Sequence, residues 1–484
     1  MNSTPTARYV WLANRLHSEI RKGLWVPGQR LLSVRQLGLA YSVSVTTALA
    51  AYRRLEDLQI IESRPKRGYF VRASMGGKAP RENNRAEVGQ DDPQDSHASQ
   101  NRQEHSPSTS FGAAVCCDSL FPTNALARHI STAVRHDNGI LSRPSSTLGS
   151  ASLRLALAAH AATWNCHVDD NSILVTNGCV EALSLALRAL TSPGDTVLVD
   201  SPTYFGYLST IAQLQLIPLA IPFLSAPLEA LNMVINLARN GKIAACILAP
   251  TVSNPSGTSM SEDGKQRLVD LLDTLSIPLI EDATFNDLHF NSTQRAAKSY
   301  DRTGNVVLCS STSKTLMPGT RLGWVAGGRY HQSIVSIKGN TSATPPLVVQ
   351  RALGDFLQGG GYQHHLRRFR RRAKAQVLET LAYIQEQFPS GTSARLPDGG
   401  YLLWVRLPDS RSATELAMCA SSEGIRIAPG PMFSPMGKFR DYVRINCGFQ
   451  LDAPRRAVLR RIADIATALV HPTELSDLDI DIEK

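Results

Sequence analysis

The chain has 484 residues, 43% of them hydrophobic and 19% charged, with a formal net charge of +10. That length calls for two or three domains of ordinary globular composition. No apolar run approaches the roughly 18 residues of a membrane span, the first twenty residues lack a signal-peptide core, and eight scattered cysteines without a CxxC pair speak against a disulfide framework or a zinc site. A cytoplasmic protein without a membrane partner or a metal is expected.

The charge is unevenly placed. Residues 1–72 hold twelve Lys/Arg against four Asp/Glu, a surplus of eight, whereas the remaining 412 residues carry a surplus of only two. A small basic module on a nearly neutral body points to a polyanion as the partner of the module alone.

Within that module the first helix is expected over Tyr9 to Ile20, with Val10, Ala13, Leu16 and Ile20 at helical spacing and a stop near Gly23. Pro27-Gly28 makes a turn. Ser33-Val34-Arg35-Gln36 has the form of a capping box and opens a short second helix. A third helix starts near Ser44 and is expected to carry Leu49, Tyr52, Leu55 and Leu58 on one face, while Val45-Thr46-Thr47 face elsewhere. The run Ser63 to Val71 reads as strand, basic turn and strand. Helix, short helix, helix and basic hairpin make a winged helix-turn-helix, in which the third helix offers its first residues to the major groove of double-stranded DNA and the wing lies on phosphates.

The stretch GLWVPGQRLLSVRQLGLAYSVSVTTALAAYRRLEDLQIIESRPKRGYFV resembles the GntR family of bacterial regulators over about sixty residues. The resemblance implies that Arg35, Thr46 and Thr47 contact DNA and that Arg64, Lys66, Arg67 and Gly68 form the wing. Leu32 stands where the family usually has Pro, and Val45 where it usually has Arg, which removes one expected contact and leaves the fold intact.

Residues 73–110 contain only Met75 and Val88 as larger apolar groups and no aromatic residue, too little to repay the entropy of ordering. His97 and His105 lie in this polar tract. As a flexible coil the segment would span roughly 35 Å. The expected division is therefore a DNA-binding domain over 1–72, a linker over 73–110 and an effector domain over 111–484.

From residue 111 onward, apolar strands alternate with helical patterns, the signature of a doubly wound parallel sheet. Strands are expected at Ile173–Thr176, Thr196–Asp200, Ile243–Ala249, Ile277–Ile280 and Asn305–Leu308, with a helix beginning near Glu181. Ligands bind outside the carboxyl ends of such strands, and the distinctive polar groups lie there. Gly178, Cys179 and Val180 offer backbone amides at a helix N-terminus to a phosphate, as Ser311, Ser313 and Arg321 do with hydroxyls and a guanidinium. Tyr204 can lie against a planar ring, Asp282 can keep a pyridine nitrogen protonated, Asn254 can donate to a ring oxygen, and Lys314 can hold an aldehyde cofactor as an imine. His364-His365, among five arginines, cannot converge on a metal, because one helical face needs three- or four-residue spacing.

The stretches TNGCVEAL, SPGDTVLVDSPTYFG, NPSG, IED, SSTSKTLMPGTRLGW, PDGGYLLWVRLP, GIRIAPGPMF and YVRINCG resemble the fold-type I aminotransferases that use pyridoxal 5'-phosphate. The resemblance assigns the substrate α-carboxylate to Arg444, the pyridine nitrogen to Asp282, the imine to Lys314 and the phosphate to Arg321. It also implies a small domain, built from the C-terminal third with residues just after the linker, and a homodimer. The family usually has Tyr three residues after the aspartate. Phe285 stands there, and loss of that donor should raise the imine pKa and weaken transamination.

A GntR-like winged helix joined by a polar linker to an aminotransferase-like body resembles the MocR subfamily from end to end. That resemblance implies a cofactor-dependent regulator answering to an amino acid or amine effector. Two alternatives remain: an active aminotransferase with an accessory DNA-binding module, and a regulator that has lost the cofactor.

Overall fold

A computed structural model describes residues 8–21, 25–64, 67–72, 110–291, 293–342, 344–408 and 412–470. Lys66, Gly23 and residues 73–109, with most of the expected linker and its two histidines, lie outside the described residues. The rest falls into two compact units.

The first unit has helices α1 (Arg8–Arg21), α2 (Val34–Ala40) and α3 (Val45–Asp57), then strands β1 (Ile61–Arg64) and β2 (Gly68–Val71), which pair antiparallel. The capping box at the start of α2 is fully formed: the Ser33 hydroxyl accepts from the Gln36 amide, and the Gln36 side chain accepts from the Ser33 amide. Gly38 is required where α2 meets the next turn, since a Cβ there would lie 3.0 Å from the Val43 carbonyl oxygen. The buried face of α3 differs from expectation. Ala48, Ala51, Tyr52 and Leu55 form it, whereas Leu58 is 53% exposed at the helix end and Leu49 is only partly buried. The alanines let α1, whose Leu12, Ala13 and Leu16 are buried, pack closely where a leucine would hold it off.

The second unit is built on a seven-stranded sheet of order β3-β9-β8-β7-β6-β4-β5, comprising β3 (Ile173–Thr176), β4 (Thr196–Asp200), β5 (Ile217–Ile221), β6 (Ile243–Leu248), β7 (Leu279–Asp282), β8 (Val306–Ser311) and β9 (Gly323–Ala326). The expected doubly wound parallel sheet is present from β4 to β8, and β9, which was not foreseen, runs antiparallel to both β3 and β8. Only Thr312 to Leu322 separate β8 from β9, too few residues for the crossover that a parallel partner needs. β7 and β8 also end later than expected, so Asp282 and Ser311 are strand residues. The helix expected near Glu181 begins at Cys179.

Along each strand alternate residues serve opposite faces. Ile173, Val175, Leu308 and Trp324 pack with Leu157, Trp164 and Leu353 on one side. Leu174, Val199, Ile280 and Val325 pack with Leu183, Leu187, Tyr207 and Ile211 on the other. A second, four-stranded antiparallel sheet of order β10-β11-β13-β12 comprises β10 (Ser393–Ala394), β11 (Leu402–Arg406), β12 (Ala428–Pro429) and β13 (Tyr442–Asn446). Its core, with Val377, Leu403, Val405, Ile445 and Leu459, includes Phe111, and Ser110 forms a parallel bridge with Arg426. No helix of the described residues is long and apolar enough to cross a membrane.

Candidate functional site

In the winged-helix unit, Ser44 caps α3 by accepting from the Thr47 amide at 3.1 Å. Its hydroxyl also lies 2.8 Å from the hydroxyls of both Thr46 and Thr47, so the first turn is held before any partner arrives. Arg35 and Arg67 are exposed. Arg64 is already engaged by Glu62 at 2.6 Å and lies 4.4 Å from the centroid of the Phe70 ring, so a phosphate there would compete with a carboxylate. At Gly68, with φ +101, an added Cβ would lie 3.5 Å from the side chain of Arg30, an exposed cation that the sequence reading did not single out.

In the second unit one cavity of about 600 Å³ is lined by Cys179, Val180, Tyr204, Asn254, Asp282, Ser311, Ser313, Lys314, Arg321 and Arg444. Every residue expected in the cofactor and substrate site except Gly178 lines it. Gly178 stands beside it as the N-cap of the Cys179–Leu190 helix, with φ +89, and a Cβ there would lie 3.2 Å from the Arg321 guanidinium. Gly323 is equally constrained, since its Cβ would sit 2.5 Å from the Gly178 carbonyl carbon. A helix N-terminus, a guanidinium and the Ser311 and Ser313 hydroxyls thus meet at one end of the cavity. The Ser313 oxygen is buried and has no hydrogen-bond partner among the described residues. That is the donor set a phosphate requires.

At the end of β7, Asp282 accepts 2.6 Å from the Tyr207 hydroxyl and 2.9 Å from the Thr284 amide, with the Cys179 thiol at 3.6 Å. Three donors fix the carboxylate and leave it able to accept another. The Tyr204 ring stands edge-on to Tyr207 at 5.3 Å. Past the end of β8, Lys314 Nζ donates to the Ala114 carbonyl at 2.7 Å, a carbonyl that also accepts from the Tyr401 hydroxyl at 3.3 Å. Burial first, and then the Arg444 guanidinium, bring the Lys314 ammonium down to about 8. Phe285 lies buried against Tyr401, with ring centroids 5.6 Å apart, and offers the cavity no donor.

Arg444, on β13, is 1% exposed and has no carboxylate partner among the described residues. It donates 2.8 Å to Asn254 Oδ1 and also to the Gly112 carbonyl, while its Nε has no partner. Its guanidinium lies 5.0 Å from the Phe433 ring centroid and 5.6 Å from that of Phe205. Burial lowers its pKa to about 10. With its oxygen turned to Arg444, Asn254 keeps its amide hydrogens for another acceptor.

The aminotransferase class I and II family model matches residues 117–460, and the model of the bacterial regulatory proteins of the GntR family matches residues 8–71. The chain is 32% identical to the Escherichia coli protein YdcR, described as an uncharacterized HTH-type transcriptional regulator, over 92% of this chain and 95% of that one. It is also 32% identical to the Escherichia coli regulator YjiR, over 94% and 98%. The chain belongs to the MocR-type regulators of the GntR family. Its second unit has the fold of solved aminotransferases. Kynurenine aminotransferase of Pyrococcus horikoshii superposes with a TM-score of 0.71 at 22% identity, covering 78% of this chain and 94% of that one. The α-aminoadipate aminotransferase LysN of Thermus thermophilus superposes with 0.69 at 23% identity, covering 75% and 92%.

This MocR-type chain holds its site together through residues the sequence reading missed. Tyr207, the partner of Asp282, lies three positions after Tyr204, and that helical spacing was the available signal. Asp287 gave no signal. It is 5% exposed and accepts from His160 Nε2 at 3.0 Å, Trp164 Nε1 at 2.8 Å and the Tyr362 hydroxyl at 2.5 Å. Burial pushes its carboxyl up, but the His160 charge and these hydrogen bonds outweigh that and hold it below the usual carboxylate range. Tyr362 reaches on to the Thr315 hydroxyl at 3.1 Å, and His365 donates to the Thr315 carbonyl at 2.6 Å. The residue next to Lys314 is thereby pinned. His364, in contrast, is exposed.

Proposed function

We propose that the chain is a pyridoxal-phosphate-dependent transcription regulator that binds DNA through its winged helix and answers to a carboxylate-bearing amine, an amino acid, in the cavity of its second unit. The observation that carries this reading is Arg444: a cation buried without a counter-charge, with a free Nε, in the same cavity as an amine of lowered pKa. Such a cation is costly alone and well suited to a carboxylate.

The residues fit the cofactor. Gly178, Cys179 and Val180 amides with Ser311, Ser313 and Arg321 would hold its phosphate, Asp282 would face its ring nitrogen, Tyr204 would lie against the ring and Asn254 would donate to its oxygen. Bound there, pyridoxal phosphate supplies a carbonyl that exchanges reversibly between amines. Lys314 is the internal amine, and Arg444 orients an incoming one by its carboxylate. With Phe285 in place of a phenol, the site favours holding over rapid turnover. The exchange would alter the second unit and so the affinity for DNA, which requires the ligand to prefer one arrangement. A cytoplasmic homodimer, with the winged helices reading a two-fold operator, completes the reading.

The test is a visible-spectrum titration of the protein with amino acids and with their decarboxylated amines, run beside binding to its own upstream DNA. A spectral change with an amino acid, weakened at least tenfold for the matching amine, is expected, together with a change in DNA affinity. Steady transamination at enzyme-like rates with no salt-sensitive DNA binding would overturn the regulator reading in favour of an aminotransferase.

The lowered Lys314 value gives a pH prediction. With a pKa of about 8 the neutral amine is roughly a tenth of the total at pH 7, half at pH 8 and nine-tenths at pH 9. The rate at which the cofactor-free protein takes up pyridoxal phosphate, followed by stopped-flow absorbance, should rise about fivefold from pH 7 to 8 and level off by pH 9. A rate still climbing tenfold per unit at pH 9 would mean an ordinary, solvated lysine.

A further inference from the structure

We propose that the outward face of the Gly361–Gln387 helix is a second DNA-phosphate surface, on the aminotransferase-like unit itself. The inference rests on the DNA-binding reading above. This helix buries Tyr362, His365, Leu366, Phe369, Ala373 and Val377, which orients it without ambiguity. Arg367, Arg368 and Arg371 are exposed away from that buried face, with Arg372 exposed at its edge, at the three- and four-residue spacings that place side chains next to one another.

The stripe is uncompensated. From Gly361 to Leu378 the helix contains no Asp or Glu, and the next acid, Glu379, is occupied by Arg456. Among the described residues Arg367, Arg368 and Arg371 make no ion pair, and the hydrogen bond of Arg372 goes to the Ser119 carbonyl, not to a carboxylate. Four other exposed arginines of the same unit, Arg267, Arg351, Arg406 and Arg461, each have a carboxylate within 3.0 Å, whereas Arg128, Arg188 and Arg460 stand singly without one among the described residues. What sets the stripe apart is that its unpaired guanidiniums are neighbours on one helix. Like charges at i,i+3 and i,i+4 destabilise a helix, and the fold supplies nothing to offset them here. A polyanion would.

Three considerations select DNA. The residues after 72 carry a surplus of only two positive charges, so a concentration of guanidiniums on one helix is local and not a general basicity. Guanidinium is the group best matched to phosphate oxygens. The other unit of this chain is a GntR-type winged helix, and DNA held by one part of a chain is presented to the rest at an effective concentration set by the connecting segment. The inner face of the helix also bears on the site, through Tyr362 and His365 at Thr315 and Arg370 at the Asp287 carbonyl, so the stripe has a fixed footing.

The experiment compares full-length protein with the triple variant Arg367→Ala, Arg368→Ala, Arg371→Ala, in binding a duplex from its own upstream region over a salt series. Each lost phosphate contact should lower the slope of log affinity against log salt by about 0.9, so the triple variant should lose about two to three units of slope. The corresponding triple Lys variant should restore it. Among the described residues none of the three side chains has a hydrogen-bond or ion-pair partner, so unchanged circular dichroism and an unchanged visible band serve as the folding control. Arg67→Ala, in the wing, should independently lower the slope by about one. If Arg67→Ala lowers the slope and the triple Ala variant does not, the surface is not a DNA contact and this inference falls alone. Loss of binding to anionic vesicles with an unchanged DNA slope overturns it in favour of a membrane surface. If the parent protein shows no salt-dependent DNA binding, the regulator reading falls and this inference with it.

Discussion

Replacing Lys314 by alanine should abolish covalent capture of pyridoxal phosphate. After borohydride reduction the parent protein should carry one cofactor per chain by mass spectrometry, and the variant none. The reason is geometric as well as chemical. Lys314 lies within a cavity where its amine donates to Ala114 and is partly neutral near physiological pH, whereas the surface lysines remain ammonium ions there. The cofactor-free variant should fold as well as the parent. Because the folded pKa is below the unfolded one, the ammonium is a burden on the native state below about pH 8, and alanine removes it. The Ala114 carbonyl keeps Tyr401 as a donor. A variant that still gains the cofactor mass at one site would show that another lysine holds it, and a regulator without cofactor would gain none in either form.

The second large effect is on stability. Asp287→Ala should destabilise the second unit by several kcal/mol, at about 1–3 kcal/mol for each buried donor left without an acceptor, because His160, Trp164 and Tyr362 would all lose theirs in a buried site. The pH dependence has a definite sign. The Asp287 carboxyl is held below its ordinary value, so its contribution is complete above the unfolded carboxyl pKa of about 4 and is lost as pH falls through the lower, folded value. Denaturant midpoints of parent and variant should therefore lie far apart at pH 7 and draw together in acid. Equal midpoints at pH 7 would mean that the three donors find other acceptors and that the loop beside Lys314 is held by something else. The variant should also loosen that loop, since Tyr362, which reaches Thr315, loses its own anchor at Asp287.

Much of what lines the cavity was singled out before any fold was known. Lys314, Asp282, Asn254, Tyr204 and the Gly178 turn each follow an apolar strand, and in an open sheet the strand ends converge by construction. The capping box at Ser33 and the Gly68 wing turn were legible because they depend on residues three or four apart. The errors were of another kind. Leu49 and Leu58 have helical spacing, but the phase of the buried face of α3 was set by how closely α1 could approach its alanines. The antiparallel β9 within the otherwise parallel run was not foreseen, because periodicity identifies a strand without giving its direction.

Composition, local periodicity and the order of chemical groups along the chain thus pointed to a basic winged helix, a polar tract and an α/β body with a candidate cofactor lysine, and the resemblance of its motifs implied that this body is aminotransferase-like. Those signals arise within one element or at its end, where neighbours in sequence are neighbours in space. Only the tertiary structure decided that Arg444 meets Asn254 from 190 residues away, that Asp287 meets His160 from 127 away, and that backbone carbonyls at Gly112 and Ala114 receive the two site cations. Any residue has a carbonyl, and burial depends on the whole fold. The lowered pKa of Lys314 and the uncompensated charge of Arg444 are therefore properties of packing, and they turn a lysine and an arginine into a site.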